Sequence, residues 1–140
     1  MLKTVLTCLF GLCLISTAMA DTQCPSPTLI QYNSTTQKWS FSGDHGKWEL
    51  SKDLPPPSGT PSAHPFFLGA VWNEYHNKQV ICYYVDKWTE GSFQPMVLTS
   101  THAITQKPVT ASWLTNSDYM QCGFPDTMEP FPINACPFNY

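Results

Sequence analysis

The chain of 140 residues contains no arginine, and only 12% of it is charged. Nucleic-acid binding needs clustered cations, and bidentate phosphate recognition favours the guanidinium group. Seven scattered lysines against ten carboxylates leave a net charge of −3. This balance argues against a nucleic-acid ligand and against docking on an anionic membrane surface. The sequence has no C-x-x-C pair, no H-E-x-x-H and no G-x-S-x-G. The spacings that announce a zinc site, a metalloprotease or a hydrolase nucleophile elbow are therefore missing. Glycine-rich phosphate loops and internal repeats are also absent. Beyond the first twenty residues no stretch of ten or more repeats its apolar positions with a helical period, and no second apolar run is long enough to span a bilayer.

The first twenty residues read as an export signal. Lys3 supplies the positive start, residues 5–15 form a short apolar run, and Ala18 and Ala20 stand at the −3 and −1 positions of an A-x-A cleavage site. Cleavage before Asp21 is expected, leaving residues 21–140 as a single soluble domain with no integral membrane segment. Cleavage removes Lys3, so six lysines then face ten carboxylates and the formal charge becomes −4.

The signal also takes Cys8 and Cys13 with it. Cys24, Cys82, Cys122 and Cys136 remain. An even count in an exported chain reads as two disulfides, with three pairings open. The pairing expected first is Cys24–Cys82 with Cys122–Cys136. It ties the N-terminal tail to the middle of the chain and closes a proline-rich C-terminal loop.

The organising stretch is residues 65–85. Two runs rich in aromatic and β-branched side chains, 66–72 and 79–85, flank a polar six-residue segment, which predicts a β-hairpin. Alternation puts Val80, Cys82 and Tyr84 on one face and Ile81, Tyr83 and Val85 on the other. Both faces are apolar, so a central strand covered on both sides is expected. Further strands are expected at 29–32 and 119–122, and at 108–114, where Val109, Ala111 and Trp113 alternate. Residues 38–41 and 47–50 look like a hairpin around Gly43 and Gly46. Residues 93–99 form another strand, which Pro95 places at an edge or a bulge. Residues 51–65 carry five prolines and are expected as a surface loop. The fold class predicted is all-β, a small disulfide-stapled sandwich or open barrel of six to eight short strands.

Chemistry-bearing residues are sparse. His45, His64, His76 and His102 lack metal-ligand spacing, and no carboxylate pair stands out. His102 follows a Ser/Thr run and His76 lies in a loop, so a small hydrolase centred on either is the weakest reading. No catalytic residue, metal site or cofactor is assigned. The unusual resource is aromatic. Trp72, Tyr75, Tyr83 and Trp88 gather on the hairpin and just beyond it, and outward projection would make them a binding surface for a protein or a sugar. The ordinary alternative is that burial consumes them.

Several features stand together: the leader followed by Cys24-Pro25, Trp39 and Trp48, the block Phe67-Leu68-Gly69-Ala70-Val71-Trp72, the block Val80-Ile81-Cys82-Tyr83-Tyr84, and the terminal Cys136-Pro137-Phe138. This pattern resembles the EirA-like small periplasmic proteins associated with the Dot/Icm type IV secretion system of Legionella- and Coxiella-like intracellular bacteria. The resemblance implies a periplasmic or secreted, non-enzymatic protein. It would bind an envelope or secretion-system partner and support secretion and intracellular replication. It implies no catalytic residues. The expectation from a different class is a secreted carbohydrate-binding module using exposed aromatics.

Overall fold

The structure, a computed structural model, describes residues 23–50, 60–62, 64–75, 77–86, 95–108, 110–124 and 129–139. The segment expected to be an export signal, most of the proline-rich stretch, His76 and Trp88 lie outside these residues. Eight short strands make two antiparallel sheets, and the only helices described are two single 3-10 turns. Strands β1 (Ile30–Asn33) and β2 (Lys38–Phe41) pair alone. Strands β3 (Trp48–Leu50), β4 (Phe66–Trp72), β5 (Val80–Val85), β6 (Met96–Ser100), β7 (Trp113–Thr115) and β8 (Met120–Gly123) form a six-stranded sheet in the order β3-β6-β5-β4-β8-β7. Among the described residues no helix is long and apolar enough to cross a membrane. The all-β architecture and the central β4–β5 hairpin are as the aromatic and β-branched runs predicted.

The large sheet has two unlike faces, and alternation decides which side chain goes where. On the inner face one row crosses it as Trp113, Cys122, Ala70, Cys82, Leu98 and Leu50. All but Leu50 are buried. Cys82 and Cys122 flank Ala70 in this row, and each bonds upward to the layer that covers it. Cys82 bonds Cys24 of the N-terminal tail, 58 residues away, and Cys122 bonds Cys136, 14 residues away. The expected pairing is the observed one. The small sheet adds Ile30 and Phe41 to the same core, and Ile104, Trp48 and Phe138 complete it. Two disulfides inside the covered face fit an oxidising compartment.

Tyr84 ties the tail down a second time. Its ring packs on Phe67 at 5.6 Å, and its hydroxyl donates to the Pro25 carbonyl at 2.7 Å. The side chain is fully buried, and burial holds its ionisation far above the ordinary tyrosine range. Tyr84→Phe leaves the Pro25 carbonyl without that donor and should cost about 1–2 kcal/mol. A tyrosine with a raised native pKa stabilises the fold below pH 10, where both states are protonated, and loses that contribution as pH rises further because only the unfolded state ionises. Urea unfolding should therefore show wild-type stability falling above pH 10, with a shallower fall for Tyr84→Phe.

Three expectations are corrected. The predicted hairpin of 38–41 with 47–50 does not form. β2 pairs with β1 instead, and β3 pairs with β6 in the other sheet. The reason is local: Asn33 Oδ1 accepts from the Thr35 and Thr36 amides, and Gln37 adopts φ 52°, so the tight turn lies before β2. The amides of Lys47 and Trp48 then both donate to the Asp44 carbonyl, which turns the chain towards the large sheet. Secondly, the strand after Pro95 is interior, between β3 and β5, and starts at Met96, so the proline precedes it. Thirdly, β5 is fully covered on one face only: Val80, Cys82 and Tyr84 are inside, whereas on the other face Val85 is buried but Ile81 and Tyr83 are only half-buried.

Candidate functional site

The outer face of the large sheet holds the candidate site. One row runs unbroken across all six strands as Leu114, Gln121, Val71, Ile81, Thr99 and Glu49. The next row runs Gly123, Gly69, Tyr83 and Val97. The two glycines face each other across β4 and β8, and a side chain on either would collide with backbone. A Cβ on Gly69 would sit 2.5 Å from the Cys122 carbonyl oxygen, and one on Gly123 would sit 2.6 Å from that of Leu68. Gly123 also adopts φ 87°, a conformation that L side chains resist. The row therefore has a gap where two side chains are missing.

Phe124 folds back over that gap. Its backbone takes φ 61°, and its amide donates to the Leu68 carbonyl at 2.8 Å, which anchors the reversal on the bulge between Phe67 and Gly69. The ring then lies over Gly69 and meets Tyr83 at 5.1 Å with the planes 67° apart. Tyr83 and Phe124 make a notch with two nearly perpendicular walls. Val71 and Ile81 form its floor, and Asn73, Gln121 and Tyr119 complete a groove of about 440 Å³. That volume lies within the range of small-ligand clefts.

None of the described residues that line the groove is charged. Tyr119 is held in place by Asn116, whose side-chain amide donates to the Tyr119 hydroxyl at 2.8 Å while its backbone amide donates to the Tyr119 carbonyl. Asn73 Oδ1 accepts from the Tyr75 amide. The Tyr83 hydroxyl and the Gln121 amide make no hydrogen bond to a described residue. Partial burial pushes the Tyr83 hydroxyl above its usual pKa, so it stays an O–H donor at neutral pH.

Of the expected surface residues, Tyr83 is in the groove and Tyr75 stands 74% exposed at the β4–β5 turn. Trp72 is corrected: it is 3% exposed on the inner face, and its indole N–H donates to the Ile104 carbonyl at 3.1 Å. It is core, because it shares the inner parity of β4 with Ala70. Trp88 lies outside the described residues. Phe124 is a groove residue that lies beyond the last strand expected from the sequence, at 119–122. The available signal was a glycine between a strand cysteine and an aromatic residue, with a second glycine in the hairpin strand.

The geometry around His102 does not make a nucleophile. The Thr101 hydroxyl donates its one proton to the Gly46 carbonyl, so His102 Nδ1, 2.9 Å away, must donate to that hydroxyl. A general base needs the reverse polarity. The Ser100 hydroxyl is likewise committed, donating to the His102 carbonyl and accepting from the Val80 amide. His45 and His64 are exposed. Among the described residues no group of three His, Cys, Asp or Glu side chains could hold a metal ion. No protein family, curated protein or solved structure matches the chain, so the functional reading rests on the site itself.

Proposed function

We propose that the chain is a non-enzymatic exported protein of the periplasm or cell envelope whose outer sheet face binds a protein partner. The observation that supports this most is the aromatic groove, with no charge among its described lining residues, left open on one face of a sheet whose other face is sealed by two disulfides. A sheet can also bind a partner by adding a strand at its edge. The edges here are β3 and β7, three residues each, and edges that short are poor templates. The face is therefore the better candidate. The resemblance to EirA-like proteins extends the proposal: the partner belongs to a type IV secretion apparatus and the interaction supports intracellular replication.

A carbohydrate module is the second reading, favoured by the two side-chain amides, Asn73 and Gln121, beside aromatic rings. Sugar stacking uses an open ring face, however. Tyr83 and Phe124 stand at 67° to one another and form a notch rather than a platform. In-cell crosslinking of the tagged protein in its native host, followed by mass spectrometry, tests the proposal. A discrete envelope protein is expected with wild type, with at least tenfold less for Phe124→Ala, as for a groove-centre aromatic anchor. Equal capture by a folded Phe124→Ala protein, or capture of bystanders alone, contradicts it.

A further inference from the structure

We infer that Tyr84 and Trp113 are positioning residues for disulfide formation, each docking one Cys-Pro pair over the cysteine it must bond, so that the observed pairing forms without an isomerase. This role is independent of any partner. Four cysteines allow three pairings, and the sheet itself excludes one of them. Cys82 and Cys122 flank Ala70 in one row, on the strands either side of β4. Two strand spacings hold their Cα atoms about 9.5 Å apart, beyond the roughly 7 Å that a disulfide can span. Each sheet cysteine must therefore bond a cysteine of a covering segment.

What lies beside each sheet cysteine decides between Cys24 and Cys136. Both covering cysteines precede a proline, as Cys24-Pro25 and Cys136-Pro137, and neither sheet cysteine does. An aromatic donor of the sheet holds each proline carbonyl. The Tyr84 hydroxyl donates to the Pro25 carbonyl at 2.7 Å, and the Trp113 indole N–H donates to the Pro137 carbonyl at 2.9 Å. Tyr84 is two residues from Cys82 on the same face of β5, and Trp113 is the cross-strand neighbour of Cys122. The proline ring locks one of the rotations between the cysteine and the clasped carbonyl. Fixing the carbonyl thus brings the cysteine over its partner, and the Cα separations are 5.9 and 5.7 Å. The two donors stand on β5 and β7, on opposite sides of β4, so neither clasp serves the other bond.

Closure proceeds by thiol–disulfide exchange. One cysteine thiolate attacks a sulfur of a disulfide oxidant and expels a thiolate. The second cysteine thiolate then attacks the protein sulfur of the mixed disulfide and expels the other half of the oxidant. The cysteine pair loses two electrons and two protons, and the oxidant gains them. Each clasp raises the effective concentration of one thiol at the other in the second step.

The test is reoxidation of the reduced exported protein in glutathione buffers without isomerase, each bond being read by thiol alkylation and peptide mapping. Wild type should form only Cys24–Cys82 and Cys122–Cys136. Tyr84→Phe should lower the effective concentration for Cys24–Cys82 about five- to tenfold, the effect of one hydrogen bond, and leave Cys122–Cys136 within about twofold. Trp113→Phe should do the reverse. A merely structural role would weaken both bonds together. That result, or no change in either bond, overturns the inference. So does wild-type protein that reaches the observed pairing only after an isomerase is added. Tyr84→Phe keeps its ring and decides alone if Trp113→Phe does not fold.

Discussion

Replacing Cys24 and Cys82 together with alanine is expected to lower the stability of the protein by about 4 kcal/mol in the chain-entropy model. The bond closes a loop of 58 residues, and both sulfurs lie in the core at 0–1% exposure. It holds down the tail that also supplies the Pro25 carbonyl to Tyr84, so its loss frees a covering segment as well as enlarging the unfolded ensemble. The Cys122–Cys136 bond closes only 14 residues, and the same model gives about 3 kcal/mol for it. A small domain has a total stability of roughly 5–15 kcal/mol, so loss of the longer bond removes between about a quarter and most of it. Denaturant unfolding of wild type and of each double alanine variant measures both values. A loss below about 1 kcal/mol for Cys24/Cys82 would mean that the tail is not a structural layer.

Trp72→Ala should be of similar size, roughly 3–5 kcal/mol. The substitution empties a buried site between Val80 and Met120, its cross-strand neighbours. It also strips the Ile104 carbonyl of its indole donor inside the core. Ile104 is fully buried, and its own amide donates to the Lys78 carbonyl at 2.6 Å. One tryptophan therefore anchors the loop after β6 to the hairpin. Trp72→Phe keeps most of the volume and should lose about half as much, chiefly the unpaired carbonyl. Guanidinium unfolding gives these values. Crosslinked partner per folded molecule should stay at wild-type level in Trp72→Phe. A stable Trp72→Phe protein that loses its partner would put Trp72 on the recognition surface.

The contrast between Trp72 and Tyr83 marks how far the sequence can be read. Strand β4 was legible to the residue, because seven consecutive apolar and small side chains between Pro65 and a polar segment leave little freedom. The parity of β5 was legible too, since Cys82 had to face the layer that carries Cys24. Which face would be covered was not legible. Cover comes from residues distant in sequence, including the β1–β2 pair, Ile104 and Phe138, and local periodicity carries no information about them. The hairpin assigned to β2 and β3 failed for the same reason. Gly43 and Gly46 signal a turn, but a turn does not say whether the next strand stays in the same sheet. Phe124 escaped notice because its place depends on the backbone reversal at Gly123 and on the space above Gly69, which is a cross-strand property. The cysteine pairing was one of three that the sequence left open, and the structure shows the one expected first.

The central claim is that the two faces of the six-stranded sheet divide the work, one sealed for stability and the other open for recognition. Site-specific photo-crosslinking in exporting cells tests this most directly, with the probe placed in turn at Gln121 on the outer face and at Thr36 in the exposed β1–β2 turn. The account predicts a discrete crosslinked envelope protein from Gln121, abolished by Phe124→Ala, and none from Thr36. The same product from both positions, or from Thr36 alone, would contradict it.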